Sequence, residues 1–406
     1  MDGGAHRVGG TLRFLSDEGV QKIHGASLSL LEETGLRVMH ERALRLLADA
    51  GARVDFEKEL VRFPAPLVEK CLESIPRRFV YGGRTLENDL LVEIGGEFHT
   101  RPLTGAERYI DLETDEFRDV RTSDLIEWTR LCDALEHVDY CASIFPQDMA
   151  PVDVRDVLVV RTMMEHTRKH IEVQAFTGAG VELMGRMCVA VLGSREEAKR
   201  RPLLSVLTSA TAPLQYIGHT VDIMFAAGEY GIPIELNDIP IAGGTAPVTL
   251  AGLLLMHNCD VLAGVVISQV AYPGTPILST PRPTVMDMRT GAGLEGLVEN
   301  AMLSAALGQM AREAYRMPAN LFGPSTDSLI SDGQSQIERV FNALLPALAG
   351  SNVIAGMGNL EHCYALSPVQ LVIDDEIIGM VRRALKGIEV NDETLALDAI
   401  REIGPG

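Results

Sequence analysis

The sequence predicts an α/β fold, a TIM (β/α)8-type barrel with an N-terminal α+β region appended to it. Two patterns support this prediction. From about residue 139 onward, apolar β-type runs alternate with helical segments, as in a parallel sheet covered by helices. Polar or small residues also follow the strand-like runs, which is typical of the catalytic end of such barrels. We therefore divide the chain into an N-terminal region, residues 1–120, and a barrel domain, residues 121–406.

Composition limits the classes of function. The chain has 406 residues, 46% of them hydrophobic, and a formal net charge of −20, which disfavours nucleic acid and anionic membranes as partners. Its six cysteines show no CxxC spacing and predict reduced thiols rather than disulfides. The segment MDGGAHRVGGTLRF lacks the apolar core of a signal peptide, so we expect a cytoplasmic protein.

The N-terminal region reads as helices around a hairpin. A helix is predicted after Ser16 as N-cap, with Gly35 as its stop, and a second helix over ERALRLLADAG. The alternation in RVDFEKELVRF predicts a hairpin, and PAPLVEKCLESI predicts a helix that begins with proline.

The barrel region supplies seven clear strands. They are DYCASIF, HIEVQAFT, PLLSVLTSA, IPIELND, PILSTPRP, PANLFGPS and NVIAGMGN. The segment TLAGLLLMHNCDVLAGVVISQVAYPG is too long for a strand and is interpreted as one helix, because only a short connection separates it from PILST. An eightfold barrel then needs one strand from elsewhere in the chain.

The stretch GIPIELNDIPIAGGTAPVTLAG is the strongest candidate for a site. Asn237 and Asp238 end a buried strand, and a turn formed by Gly243, Gly244 and Thr245 precedes a helix that Pro247 and Thr249 open. Backbone N–H groups at such a helix start could accept a phosphate, although two glycines are a weak signal. Polar residues at other strand ends predict a shared cavity: Gln174, Thr177, Thr208, Ser209, Ser279, Thr280, Ser325, Asp327, Asn359 and Glu361.

Sequence spacing does not indicate a metal site or a familiar nucleophile. His257 and Cys259 are two residues apart on a predicted helix and point to different faces, and His362 and Cys363 are adjacent. The sequence has no GxSxG or Walker motif, and no GxGxxG directly follows a predicted strand. We therefore assign no metal ligands.

Several segments resemble the trimethylamine methyltransferase family, including its pyrrolysine-free branch of quaternary-amine enzymes such as glycine betaine methyltransferase. They include IPIAGGTAPVTLAG, HNCDVLAGVVISQ, VMDMRTGA, DSLISDGQSQIE, ALAGSNVIAGMGNLE and SPVQLVIDDEIIGMV, and the similarity runs from about residue 15 to the end. The resemblance implies a TIM barrel that passes a methyl group from a methylamine to the cobalt of a corrinoid (cobalamin) carried by a separate partner protein. This chain contains only standard residues, as in the pyrrolysine-free branch.

The resemblance also implies how the site works. A quaternary ammonium releases a neutral amine, so the protein mainly has to recognise a cation and align its N–CH3 bond with cobalt. Asn237, Asp238 and Glu361 are the candidate catalytic residues. Aromatic faces and carboxylates would bind the cation, and Arg282 would pair with the carboxylate of a betaine. The candidate substrate-binding residues are Gln174, Phe176, Arg282, Phe322, Asp327, Asn359 and Tyr364.

Other readings of the sequence stay open. We expect a small quaternary-amine substrate, a corrinoid-protein partner and a homo-oligomer. One alternative is a non-catalytic barrel that binds quaternary amines or a corrinoid protein. Another is a phosphate-binding barrel lyase that would use Gly243, Gly244 and Thr245.

Overall fold

A closed barrel of eight parallel strands organises residues 10–406, the part of the chain that this computed structural model describes. Residues 1–9, which include most of the segment without a signal-peptide core, lie outside the described residues. The strands are β1 Leu36–Val38, β2 Arg53–Asp55, β3 Leu60–Arg62, β4 Arg78–Tyr81, β5 Leu90–Glu93, β6 His99–Pro102, β7 Arg108–Ile110, β8 Phe117–Asp119, β9 Cys141–Ala142, β10 Ile171–Gln174, β11 Leu204–Ser209, β12 Gln215–Tyr216, β13 Ile234–Asp238, β14 Ile241–Ala242, β15 Ile277–Pro281, β16 Thr284–Met286, β17 Gly293–Leu294, β18 Asn320–Phe322, β19 Val353–Met357, β20 Asn359–Leu360 and β21 Ala365–Leu366.

Helices cover the outside of the barrel. They are α1 Asp17–Glu33, α2 Glu41–Asp49, α3 Ala65–Glu73, α4 Thr122–Ala134, α5 Arg155–His166, α6 Gly178–Leu192, α7 Arg195–Arg200, α8 Gly218–Tyr230, α9 Leu250–Ala271, α10 Val298–Met310, α11 Gly333–Leu348, α12 Pro368–Leu385 and α13 Leu397–Ile403. The predicted α/β barrel with an N-terminal α+β region is therefore confirmed.

The order of the barrel strands is β6-β9-β10-β11-β13-β15-β18-β19, and β19 returns to β6. Parallel pairing joins β9, β10, β11, β13 and β15. Strand β18 pairs in parallel with β19, and β19 pairs in parallel with β6. A bridge between Ser279 and Ala319 links β15 to β18. The seam closes where the backbone N–H groups of Asp139 and Tyr140 donate to Thr100 O. Each of the seven predicted strands contributes one barrel strand.

The eighth strand is β6, His99–Pro102, and it lies before residue 120. It follows the β4–β5 hairpin, whose Tyr81 is fully buried beside the barrel strands. The polypeptide before residue 120 thus contributes one strand to the barrel. The domain boundary at residue 120 stays a prediction.

The N-terminal helices pack on one long barrel helix. Ser16 caps α1 by accepting from Gly19 N, and β2 and β3 form the predicted hairpin. Helix α9 is a single helix, as predicted, and Thr249 caps it by accepting from Gly252 N. By length and composition α9 could cross a membrane, but 72% of its most apolar window is buried inside the fold. It is the core helix on which α1, α2 and α3 rest.

A fully buried ion pair joins two neighbouring helices near the carboxyl end of the barrel. Arg339 Nη1 on α11 lies 2.8 Å from Asp374 Oδ2 on α12, and both side chains are 0% exposed. Asp374 also accepts from Gly358 N, directly after β19.

Removal of one partner from this ion pair should be costly. We expect Asp374→Ala to lower the free energy of unfolding by about 3–5 kcal/mol, because it leaves a buried guanidinium without its counter-charge. Urea unfolding followed by circular dichroism measures the change. Glu376→Ala, two residues along the same helix but exposed, is the matched control, and equal losses for the two variants would contradict the assignment.

Candidate active site at the carboxyl end of the barrel

Strand alternation decides which polar residues face the barrel interior. In β13, Glu235 and Asn237 point inward, while Leu236 and Asp238 point toward the helices. Asn237 Nδ2 donates to Ser209 Oγ on β11 at 2.8 Å. The register aligns Asn237 with Thr280 on β15, whose buried Oγ1 has no hydrogen-bond partner. These three side chains form an uncharged polar row at the mouth of the barrel.

A charged network fills the barrel below this row. Arg101 Nη1 lies 3.4 Å from Glu172 Oε2, and Arg101 Nη2 lies 3.8 Å from Glu235 Oε2. Thr104 Oγ1 also donates to Glu172 Oε2. Three further donors satisfy Glu235: Tyr81 Oη and Ser205 Oγ, each at 2.9 Å, and Asn320 Nδ2 at 2.6 Å.

Arg282 lies in the mouth, but Glu295 neutralises it. Its Nη2 lies 2.6 Å from Glu295 Oε1, and its guanidinium stacks over Phe322 at 4.9 Å from the ring centroid. The Cys363 thiol donates to Glu295 Oε2 at 2.9 Å, and burial raises the pKa of that thiol well above its usual range. The ring face of Phe322, predicted to receive an ammonium ion, is therefore covered by Arg282.

A left-handed turn forms the rim next to this ion pair. Glu361, His362 and Cys363 all have positive φ angles, 52°, 52° and 67°, which is costly for residues other than glycine. His362 Nδ1 lies 2.7 Å from Asp327 Oδ1, which also accepts a hydrogen bond from Glu295 N at 2.8 Å. The hydrogen bond to Asp327 raises the pKa of His362 above its ordinary value.

Asp238 lies on the other face of its strand, away from the mouth. Its carboxylate is 0% exposed, and its Oδ2 is 3.5 Å from His257 Nδ1 on α9. Burial, followed by the adjacent Asp238 carboxylate, raises the pKa of Asp260 well above its usual range. Because the Asp238 carboxylate faces α9 and not the mouth, it would affect a substrate only indirectly, by holding the end of β13 in position.

The remaining predicted substrate-binding residues are divided between the mouth and positions away from it. Gln174 is exposed at the end of β10, and the ring of Phe176 packs against Phe145 with the centroids 4.8 Å apart. Asn359 is fully buried, and its Nδ2 donates to Pro324 O at 2.6 Å. Tyr364 is 52% exposed and stacks on Phe117 of β8. Gln174 and Phe176 thus lie at the mouth, whereas Asn359 joins loops and Tyr364 covers a hairpin.

The Gly-Gly-Thr turn is not at a helix start. Gly244 N donates to Ile241 O, Gly243 N donates to Ala246 O, and Thr245 Oγ1 accepts from Ile241 N. Helix α9 begins only at Leu250. Because the two glycine N–H groups are used within the turn, this segment lacks the free donors that a phosphate site needs.

Sequence reasoning missed the interior charges and the partner of Arg282. Glu172 and Glu235 stand inside the apolar runs HIEVQ and IPIEL, where a charged residue is itself a signal of a buried network. Glu295 and Arg101 lie outside every predicted strand. Among residues 10–406, no three His, Cys, Asp or Glu side chains come close enough together to hold a metal ion.

Comparison with known proteins decides the family. The model of the trimethylamine methyltransferase (MTTB) family matches residues 5–406. The chain belongs to the trimethylamine methyltransferase family. This membership makes it a methyltransferase and confirms the resemblance in its motifs.

Individual relatives agree with the family match. Trimethylamine methyltransferase MttB of Methanosarcina barkeri (strain Fusaro / DSM 804) is 33% identical over 357 residues, covering 86% of this chain and 71% of that protein. Trimethylamine methyltransferase MttB of Desulfitobacterium hafniense (strain DSM 10664 / DCB-2) is 34% identical over 352 residues, with 86% and 70% covered. Glycine betaine methyltransferase of D. hafniense (strain Y51) is 29% identical over 353 residues, with 86% and 73% covered.

A solved structure shares the fold. The monomethylamine methyltransferase MtmB of Methanosarcina barkeri superposes with a TM-score of 0.60 at 11% sequence identity, covering 92% of this chain and 81% of that chain. At this identity the likeness concerns the fold alone. It places this member of the trimethylamine methyltransferase family among proteins with the MtmB architecture.

The His362–Asp327 pair gives a prediction about pH. Because the pKa of His362 is raised in the folded state, the pair should stabilise the fold below the ordinary histidine pKa of 6.5 and lose this contribution as pH rises through the folded value. Asp327→Asn should move the pKa of His362 down toward 6.5. Histidine ¹³Cε1 NMR titration measures the shift, with His362→Gln to assign the signal, and an unchanged titration would contradict the pairing.

Proposed function

We propose that this chain transfers a methyl group from a quaternary or tertiary methylamine to the cobalt(I) of a separate corrinoid protein. The observation that carries the proposal is the family match over residues 5–406, since relatives of similar identity act on trimethylamine or glycine betaine by name. The barrel mouth supports the proposal, because its row of uncharged polar side chains and its aromatic rings suit a quaternary ammonium group. A corrinoid docked from outside would supply the nucleophile, because low-valent cobalt attacks a methyl carbon directly.

A quaternary donor suits the uncharged polar row at the mouth. Its nitrogen has no N–H, so it needs neither hydrogen-bond acceptors nor a general acid when the C–N bond breaks. The bond electrons stay on nitrogen, and a neutral amine leaves. Asn237, Ser209 and Thr280 would border the bound methyl groups, and the role of the residues is alignment of the N–CH3 bond.

Aromatic contact with the cation is assigned to the pair formed by Phe145 and Phe176. Their rings lie 4.8 Å apart at neighbouring strand ends, and neither ring is stacked against an arginine, unlike Phe322. Quaternary ammonium groups bind aromatic faces through the ring quadrupole. We therefore give Phe176 the cation-binding role.

Arg282 is the group that we assign to the carboxylate of a betaine donor. Its buried Nε has no hydrogen-bond partner, so one donor of the guanidinium is still available beside Glu295. Glu361 lies at the rim, where it would face a docked corrinoid protein. Asp238 would act by holding the end of β13, because its carboxylate faces α9.

The alternative functions differ in what supports them. The phosphate-lyase reading loses its main support, because the N–H groups of Gly243 and Gly244 bond within the turn. A barrel that binds amines or a corrinoid protein without catalysis is distinguished by experiment. It would bind a quaternary amine and transfer no methyl group.

The direct test is methyl transfer to cobalt. The purified protein is mixed with cob(I)alamin or a cobalt(I) corrinoid protein and, in turn, with glycine betaine, carnitine, choline, proline betaine or trimethylamine. We expect one donor to produce the absorbance of methylcobalt at a rate that depends on the protein. Failure with every donor, when the same corrinoid is methylated by methyl iodide, would refute the function.

The aromatic assignment gives a second test. Phe176→Leu should raise KM for the active quaternary amine by about 2- to 30-fold, because a cation–π contact contributes about 0.5–2 kcal/mol. Phe341→Leu, on the outer part of α11 at 38% exposure, is the matched control and should leave KM unchanged. An unchanged KM in the Phe176 variant would exclude its ring from the binding site.

A further inference from the structure

The barrel interior has more carboxylates than cations around Arg101. Both oxygens of Glu235 have hydrogen-bond partners, since Tyr81, Ser205 and Asn320 donate to them. Arg101 lies between this group and Glu172, and it supplies one positive charge. If both glutamates are ionised, one negative charge remains without a counter-charge.

Glu172 is the group that carries this imbalance. Its side chain is 0% exposed, and its Oε1 has no hydrogen-bond partner, while Thr104 and Arg101 approach only Oε2. Burial, opposed by Arg101 and reinforced by Glu235, raises its pKa to about 7. A buried carboxylate oxygen without a partner is costly, which implies that something else supplies a charge or a donor when Glu172 ionises.

Glu172 lies just below the mouth of the barrel. Glu172 and Gln174 face the same side of β10, and two residues of a strand span about 7 Å. Gln174 is exposed at the mouth, so the Glu172 carboxylate lies one layer below it. Inside a protein of low dielectric constant, a charge acts over such a distance far more strongly than in water.

We propose that Glu172 is the counter-charge for the cationic nitrogen of the methyl donor, and that binding of the cation is coupled to ionisation of this one side chain. The proposal rests on the proposed function, because it takes the donor to be a permanent cation in the mouth. A bound ammonium restores charge balance in the barrel. Glu172 would thus act as a specificity residue that favours cations over neutral amines of the same size.

The tyrosines, the arginine and the histidine packed near Glu172 each keep one protonation state. The hydroxyls of Tyr81 and Tyr140 stay protonated, because burial raises their pKa values well above the usual range. Arg101 keeps its charge, since Glu172 and Glu235 outweigh the effect of its burial. His170, beneath Tyr81, is neutral because burial lowers its pKa to about 3. Asp327 raises the pKa of the rim residue His362, so this histidine is tested separately.

The coupling predicts a pH dependence of cation affinity. Choline and tetramethylammonium carry a permanent charge, so any change of their affinity with pH comes from the protein. Because a raised pKa means that Glu172 is neutral at lower pH, affinity should increase as pH rises. The dissociation constant should fall about tenfold between about pH 6 and about pH 8, measured by isothermal titration calorimetry.

Substitutions identify the responsible group. In Glu172→Gln the affinity for choline, tetramethylammonium and glycine betaine should be weak and independent of pH, whereas His362→Gln should keep the pH dependence. Glu182→Gln removes an exposed carboxylate from α6, next along the chain after β10, and should behave like the wild type. A flat profile in His362→Gln together with a retained slope in Glu172→Gln would overturn the proposal.

A second readout does not need the Glu172 variant to fold. At about pH 6.5, binding of choline to the wild-type protein should release most of one proton, detected by calorimetry in buffers of different ionisation enthalpy. Binding without proton release overturns the role of Glu172 while leaving the methyltransferase proposal intact. Loss of cation binding at every pH, together with no methyl transfer, overturns both.

Discussion

The placement of one arginine between two glutamates is the constraint on which the barrel depends. Burying Glu172 and Glu235 costs several kcal/mol each unless charges and donors meet them. Arg101 meets both, and it stands on β6, the strand that closes the barrel seam. Tyr81 extends the same network from the β4–β5 hairpin. The polar core therefore links the polypeptide before residue 120 to the barrel strands.

This constraint also explains what the sequence could not predict about the fold. Seven strands were predictable because parallel strands buried on both faces read as apolar runs. The eighth strand, His99–Pro102, reads HTRP and has no apolar run at all. Its inward face carries Arg101, whose carboxylate partners lie more than seventy residues away in sequence. Its place in the barrel comes from backbone pairing with β19 and from charge partners that are distant in sequence.

The site was predictable to the level of strand ends and no further. Asn237 and Asp238 are adjacent, yet strand alternation places the first in the mouth and the second against α9. The strand-end prediction could not tell them apart, because it used position along the strand and not the face. Arg282 was proposed from its position after a strand, but its neutralisation by Glu295 depends on the loop that follows β17. A contact across two loops leaves no periodic signal in a sequence.

The arrangement of charge has a consequence for turnover. At the rim, Arg282 and Glu295 cancel each other, and the left-handed turn at Glu361, His362 and Cys363 holds that pair in place through the Cys363 thiol. The uncompensated charge lies deeper, at Glu172. Under the proposed function, a cationic donor would be attracted past this neutral rim toward Glu172. Loss of the methyl group would leave a neutral nitrogen that Glu172 no longer attracts, so the electrostatics that favour binding of the donor would also favour release of the amine.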